Sequence, residues 1–517
     1  CLAAETFSSE KPNIIIIMSD DMGISDIGCY GSEIDTPHLD KLASNGLRFT
    51  QFYNTARCCP TRASLLSGLY PHQAGIGWMM VDRGHDGYRG ELNKECITIG
   101  EALQTSGYGT YMTGKWHVTK HISPDGPKNN WPMQRGFDRF YGTIHGAGSL
   151  WDPNTLTRNN TQTSPDNDEE YKPKKDWFYT DAISDQTVRY IEEHVKSKPK
   201  DPFFCYVSYT AAHWPMHAPE KSIQKYMKMY EGGWGKLRND RYQKMIQMGV
   251  IDEKKWPLPE RESWVNDWET IDHKPWRIRN QAIYAAMVDH MDQAVGNIVT
   301  ALKKTNQFKN TLIVYFHDNG ACPEHLSGNG WNTANNILEK AKKNGKKVAV
   351  GDKFDVLMGG PLTYGSVGHN WANAQNTPMR RYKSNVHNGG ACTPAIIHWP
   401  NGLKTNPGSI SDQRGHVIDM MATCIDLAGS IYPQEFIGNK IVAHESMSLV
   451  PILRGEKVDR DHAYLFNHSG THAVVKGDYK IVREGKRPWS LYNLAKNRTE
   501  TINLAAEQED VVSQLEK

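Results

Sequence analysis

The chain has 517 residues, with 60 Lys and Arg against 58 Asp and Glu, a formal net charge of +2 and 10% aromatic residues. So even a balance gives no global attraction to nucleic acid, and any anion site must be local. No run reaches the roughly 18 apolar residues of a membrane span, and at about 150 residues per domain the length predicts one large and one small unit.

The chain begins Cys1-Leu2-Ala3-Ala4 and runs through polar residues to Lys11-Pro12. A bacterial lipoprotein starts in this way after signal removal, so residues 1–11 are expected to be a polar tether with a lipid anchor at Cys1. That implies a periplasmic or outer-membrane, cell-surface lipoprotein. The run Asn13-Ile14-Ile15-Ile16-Ile17-Met18 predicts a strand buried on both faces, ending in Ser19-Asp20-Asp21-Met22-Gly23. Carboxylates leaving a buried strand stand where open α/β sheets bind ligands, although Asp-Asp alone equally describes a solvated turn. Thr36-Pro37-His38-Leu39 predicts a helix N-terminus with proline in its first turn, and residues 48–53 form the next strand. That strand delivers the chain into Cys58-Cys59-Pro60-Thr61-Arg62-Ala63-Ser64-Leu65-Leu66-Ser67-Gly68. Here Pro60 stiffens a bend, Arg62 offers planar donors to an oxyanion, and residues 63–66 continue as a buried helix with the thiol at its N-terminus.

Thr110-Tyr111-Met112 is a short strand entering Gly114-Lys115-Trp116-His117, and an extended backbone there would aim Lys115 and His117 to one side. Residues 147–175 read as a loop excursion. A helix over 180–191 leads to a second buried strand, Phe203-Phe204-Cys205-Tyr206-Val207-Ser208, which exits into Thr210-Ala211-Ala212-His213-Trp214-Pro215-Met216-His217. Residues 220–275 are expected to be helical and suggest no chemistry. Ile283, Met287, Met291, Ala294 and Ile298 recur at helical spacing, so 284–302 is a core-facing helix. A third buried strand, Thr311-Leu312-Ile313-Val314-Tyr315-Phe316, precedes His317-Asp318-Asn319-Gly320, and residues 322–358 read as an insertion. Residues 377–390 carry Lys383 and Gly389-Gly390 ahead of a strand over 393–399. This alternation predicts an α/β fold with a large doubly wound, mostly parallel sheet over residues 12–410. Residues 411–517 change character, with hairpin strands around Gly477-Asp478 and a helix from Gln508, and are expected to form a smaller α+β domain with an antiparallel sheet.

Asp20, Asp21, Asp318 and Asn319 offer only hard oxygen donors, which favour calcium or magnesium over zinc. The stretch at Cys58 resembles the signature of the type I sulfatases, Cys-x-Pro-x-Arg followed by Ser/Thr-Gly, and only Cys58 fits the register. The resemblance is to formylglycine-dependent members of the alkaline-phosphatase-like superfamily, bacterial carbohydrate sulfatases among them. It implies that a maturation enzyme oxidises Cys58 to formylglycine before folding, and that the hydrated aldehyde is the nucleophile. It also implies that Asp20, Asp21, Asp318 and Asn319 hold Ca2+, or alternatively Mg2+, with the oxygen at position 58 completing the site. Gly114-Lys115-Trp116-His117 matches a family motif in which Lys binds sulfate and His bonds the formylglycine. His213 matches the leaving-group histidine and Lys383 the second sulfate lysine. In the implied mechanism the metal, Arg62, Lys115 and Lys383 hold the sulfuryl oxygens, His213 protonates the departing alkoxide, and His117 deprotonates the second hydroxyl of the hydrate to expel sulfate. Asn388 and Ala321 depart from the family's frequent Glu and Gly without removing a ligand.

The substrate implied is a sulfated saccharide, with sulfated galactose as the specific expectation. His145, Trp151, His217, His369 and Trp371 are the rim candidates, each equally open to a structural role. Phosphodiester or phosphonate monoester hydrolysis is the alternative within the superfamily, and a glycan-binding protein with a dead site is the alternative outside catalysis. Of nine cysteines, modification of Cys1 and Cys58 leaves seven, so at least one thiol stays free or bonds another chain.

Overall fold

The apolar run near the N-terminus becomes β1 (Asn13–Ser19), every residue of which is buried. The computed structural model describes residues 11–173, 175–326, 345, 347–460 and 462–517, so residues 1–10 of the expected tether, Cys1 among them, lie outside the described residues. Three further strands stand near β1 in sequence or space: β2 (Leu47–Tyr53), β3 (Gly109–Lys115) and β4 (Arg139–Thr143), with helices α1 (Pro37–Ser44), α2 (Cys58–Ser67) and α3 (Ile99–Gln104) between them. Then come β5 (Leu156–Arg158), β6 (Thr161–Gln162), α4 (Tyr179–Ser197), β7 (Phe203–Ser208), α5 (Glu220–Tyr226), α6 (Gly233–Gln247), α7 (Lys274–Lys304) and β8 (Thr311–His317). The short pair β9 (Ala349–Val350) and β10 (Thr363–Tyr364) is followed by β11 (Cys392–His398), β12 (Ser409–Ser411) and β13 (Gly415–His416).

Eleven of these strands make one sheet in the order β12-β2-β11-β8-β1-β7-β3-β4-β5-β6, with β13 also on β2. Pairing is parallel across β8, β1, β7, β3 and β4, whereas β11 runs antiparallel to both β8 and β2. Two antiparallel steps restore direction, so β2 points the same way as β1. The C-terminal ends of β2, β8, β1, β7, β3 and β4 therefore share one edge with the N-terminal end of β11. Alternation along β1 sends Ile15 and Ile17 into one core with α1, α4 and α7, and Ile14, Ile16 and Met18 into another with α2, α3 and the helix Asp419–Ala428.

Residues 147–175, expected as loop, contain the β5–β6 hairpin that extends the sheet. Helix α7 begins ten residues before 284, because Lys274-Pro275 sets a proline in its first turn. After a short antiparallel pair, β14 (Glu435–Phe436) and β15 (Asn439–Lys440), the C-terminal sheet orders β16 (Tyr464–His468), β17 (Thr471–Lys476), β18 (Tyr479–Glu484) and β19 (Ser490–Asn493) antiparallel. Its inner face packs on Tyr53, Ala56, Val386 and Cys392. The eight cysteines among the described residues are free and buried. No helix among the described residues is long and apolar enough to cross a membrane.

Candidate active site

Helix α2 starts at Cys58 and is buried along its whole length, so Pro60 falls in the first turn, where its missing N–H costs nothing. The Cys58 thiol is held well below the usual thiol range by a hydrogen bond from Cys59, then by Lys115 and His117 against the opposing effect of burial. Lys115 ends β3 and its ammonium ion-pairs with Asp20. The backbone beyond it is not extended as expected: His117 has φ 60°, a left-handed turn that swings the imidazole back over the same edge. Gly146 lets this happen, since a Cβ there would stand 2.1 Å from the His117 ring. Burial, and after it Lys115, drives the His117 pKa well below the ordinary value, so the ring is neutral.

Asp20 and Asp21 follow β1, and Asp318 and Asn319 follow β8, which is paired with β1 through Ser19 and His317. Lys383 Nζ donates to Asp21 Oδ2 at 2.7 Å, and His213 Nε2 lies 3.4 Å from the same oxygen. His213 Nδ1 donates to the Trp214 carbonyl at 2.6 Å, which fixes the ring and leaves Nε2 facing the site. Burial, then the neighbouring Asp318 charge, push the Asp20 carboxyl up to about 7. Burial opposes ionisation of Asp21 as well, but Lys383 and His213 outweigh it and lower its pKa. A family model described as Sulfatase matches residues 12–430. The chain belongs to the sulfatase family.

The sulfatase is 32% identical to an uncharacterized sulfatase of Schizosaccharomyces pombe, over 98% of this chain and 92% of that one. It is 30% identical to an arylsulfatase of Klebsiella aerogenes, over 85% and 91% of the two chains. The crystal structure of Ps i-CgsB shares its fold with a TM-score of 0.65 at 24% identity, covering 98% of this chain and 91% of that one. A structure solved in complex with its substrate D-glucosamine-2-N,6-O-disulfate gives 0.63 at 19% identity, covering 98% and 96%.

Sulfatases in general use a metal and formylglycine, and the residues of this sulfatase fit a divalent cation. Asp20 Oδ1 and Asn319 Oδ1 are buried oxygens without a hydrogen-bond partner. Asn319 is oriented for this, since its Nδ2 donates to Asp21 Oδ1 at 2.8 Å and turns the amide oxygen the other way. Such crowded, desolvated carboxylates repel one another, and a hard cation relieves the repulsion.

Above these groups opens a cleft of about 640 Å3, with Cys58, His117, His145 and His213 among its walls. His145 is thus the one rim candidate that reaches it. Arg62 is fully buried beside the same carboxylates, donating to Asp318 Oδ2 at 2.9 Å, Asp20 Oδ2 at 3.2 Å and the Lys115 carbonyl at 3.0 Å. It thereby orients the Asp20 and Asp318 carboxylates. His217 is corrected, since it is fully buried, accepts from Leu150 N at 3.2 Å and donates to the Thr363 carbonyl at 2.6 Å. Trp371 belongs to the core, edge-on to Trp234 with its indole N–H on the Arg277 carbonyl at 2.9 Å. Trp151 packs against Phe178, and His369 hydrogen-bonds His325. Cys322 and Glu324, assigned by sequence to an insertion, stand at the site instead: Cys322 Sγ lies 3.8 Å from Lys383 Nζ. Part of that expected insertion, 327–344 and 346, lies outside the described residues. Arg57, Glu324 and Ser384 line the cleft without any sequence signal except the adjacency of Arg57 to Cys58.

Proposed function

We propose that this sulfatase removes sulfate from a sulfated saccharide, with formylglycine at position 58 and Ca2+ held by Asp20, Asp21, Asp318 and Asn319. The observation that carries the reading is the convergence of position 58, two lysines and two histidines with four oxygen donors beneath one open cleft. Neighbouring structures solved with a glucosamine disulfate and with k-i-k-neocarrahexaose support the saccharide. Formylglycine would supply an oxygen nucleophile, and the ion would supply positive charge toward the sulfuryl oxygens.

The side chains of the protein do the rest. Lys115 and Lys383 are buried cations aimed at the sulfuryl position, and Lys383 is kept charged because Asp21 and other anionic groups outweigh its burial. His213, anchored through Nδ1, turns Nε2 to the departing alkoxide oxygen and delivers a proton there from its doubly protonated form, which burial opposes and Asp21 favours. His117, neutral and beside position 58, accepts a proton from that side chain. Net hydrolysis cleaves the ester with water, giving the alcohol and inorganic sulfate.

The test is sulfate release from a panel of regiodefined sulfated monosaccharides, run beside 4-nitrophenyl sulfate and bis(4-nitrophenyl) phosphate, with the mass of the peptide containing residue 58. Release from a saccharide and an aldehyde at 58 are expected. Preference for the phosphodiester, or an unmodified cysteine in active enzyme, overturns the reading.

A further inference from the structure

The roles above use neither Arg57 nor Glu324, although both stand on the cleft wall. Arg57 Nη1 donates to Glu324 Oε1 at 2.6 Å and to Ser384 Oγ at 2.7 Å. The second carboxylate oxygen accepts from Trp214 Nε1 at 2.7 Å and lies 3.5 Å from Lys383 Nζ. The two side chains keep 11% and 13% exposure, so the cleft reaches them despite their pairing. Burial alone would neutralise Glu324, but Lys383, followed by Arg57, holds its pKa well below the usual carboxylate range. It is therefore an acceptor without a proton to give.

An ionised carboxylate on this wall repels a sulfate monoester unless it meets the uncharged half of the substrate. A guanidinium edge and a carboxylate side by side present donors next to acceptors. Adjacent hydroxyl groups, each able to donate and accept, complement that pattern. The other lining includes Trp78, Met79, Met80 and Ile122, an apolar surface suited to the C–H face of a sugar ring. We propose that the Arg57–Glu324 pair reads hydroxyl groups on the alcohol half of a sulfated saccharide. This subsite rests on the saccharide reading above, because an aryl sulfate offers no hydroxyl there.

The experiment compares kcat/KM for 4-nitrophenyl sulfate with that for the best saccharide sulfate of the panel, in wild type, Arg57→Ala, Glu324→Ala and Glu324→Gln. Both alanine variants are expected to lose at least about tenfold on the saccharide, chiefly in KM, and to stay within about threefold on the aryl ester. Glu324→Gln, which keeps an acceptor oxygen, is expected to lose less than Glu324→Ala. Aryl turnover also reports that each variant is folded. Equal losses on both esters in Arg57→Ala, which does not touch Lys383, overturn the subsite, as do unchanged saccharide kinetics. Wild type that cleaves the aryl ester and no saccharide overturns the saccharide reading and the subsite with it.

Discussion

Of the two site histidines, His213 is committed to one proton position by what holds it, and His117 is committed to one place by the glycine beneath it. His213 gives its Nδ1 proton to the Trp214 carbonyl, so only Nε2 can serve a leaving oxygen. His213→Ala should lower kcat by about 10²- to 10⁴-fold on a saccharide sulfate and much less on 4-nitrophenyl sulfate, whose phenolate leaves without a proton. Steady-state kinetics on the two esters measure the difference. His117 depends on Gly146, and Gly146→Ala should displace the ring and cost about 10²-fold in kcat while circular dichroism stays native. Cys58, Lys115, His117, His213 and Lys383 could be singled out in the sequence because each lies in a short stretch that resembles a family motif, and the structure brings all five to one edge of the sheet. Glu324 could not be, since a loop carries it to Arg57 across 267 positions and no local pattern records that approach. Arg62 was legible as a site residue but not as a neighbour of carboxylates, because a guanidinium in sequence has no direction.

Among elements, the C-terminal sheet reaches furthest into the site it does not line. Lys480 of β18 and Glu500 form a fully buried ion pair at 2.7 Å. Glu500 accepts from the Asn388 backbone at 2.8 Å, and Lys480 donates to the Asn388 side chain at 2.8 Å. The loop between Lys383 and β11 is thereby tied to the last strands. Asn388 Nδ2 donates to the Arg498 carbonyl at 2.9 Å, a bond that a glutamate carboxylate at 388 would replace with two facing acceptors, which gives a physical reason for the amide at this position. Removing one partner strands a buried charge, so Lys480→Met or Glu500→Gln should cost about 3–5 kcal/mol in denaturant unfolding, with part recovered in a double apolar variant. The buried strands were legible from uninterrupted β-branched runs. The β5–β6 hairpin was not, because its polar residues carry no alternation and its pairing comes from β4.

For the molecule as a whole, the proposed ion and the buried histidines are expected to set the conditions under which it holds together. Chelation by EDTA should lower both sulfate release and the melting temperature, with Ca2+ restoring both; an ion at 100 to 1,000 times its Kd contributes about 3–4 kcal/mol. Restoration by Mg2+ alone would identify the other ion. Acid acts separately. Burial lowers His217 to about 4 and His416 to about 3. Above pH 6.5 both are neutral folded or unfolded, but between 6.5 and 4 the unfolded chain binds the proton first. Stability is therefore fully present above about 6.5 and lost as pH falls toward 4, up to about 3 kcal/mol for His217. Thermal melts across that range should show the loss, and His217→Gln should flatten the slope.

Lys480 and Glu500 lie more than 400 positions after Cys58 in the chain, so translation delivers them long after that residue. Until they arrive, Tyr53 and Ala56, two residues before Cys58, lack the sheet that covers them. In the finished molecule Cys58 is 1% exposed. If position 58 is oxidised as proposed, synthesis from the N-terminus would leave an interval for that modification before the C-terminal strands pack on Tyr53 and Ala56. On the proposed formylglycine reading, slower translation ahead of residue 464 would lengthen that interval and raise the fraction of chains carrying the aldehyde, which the mass of the peptide containing residue 58 measures.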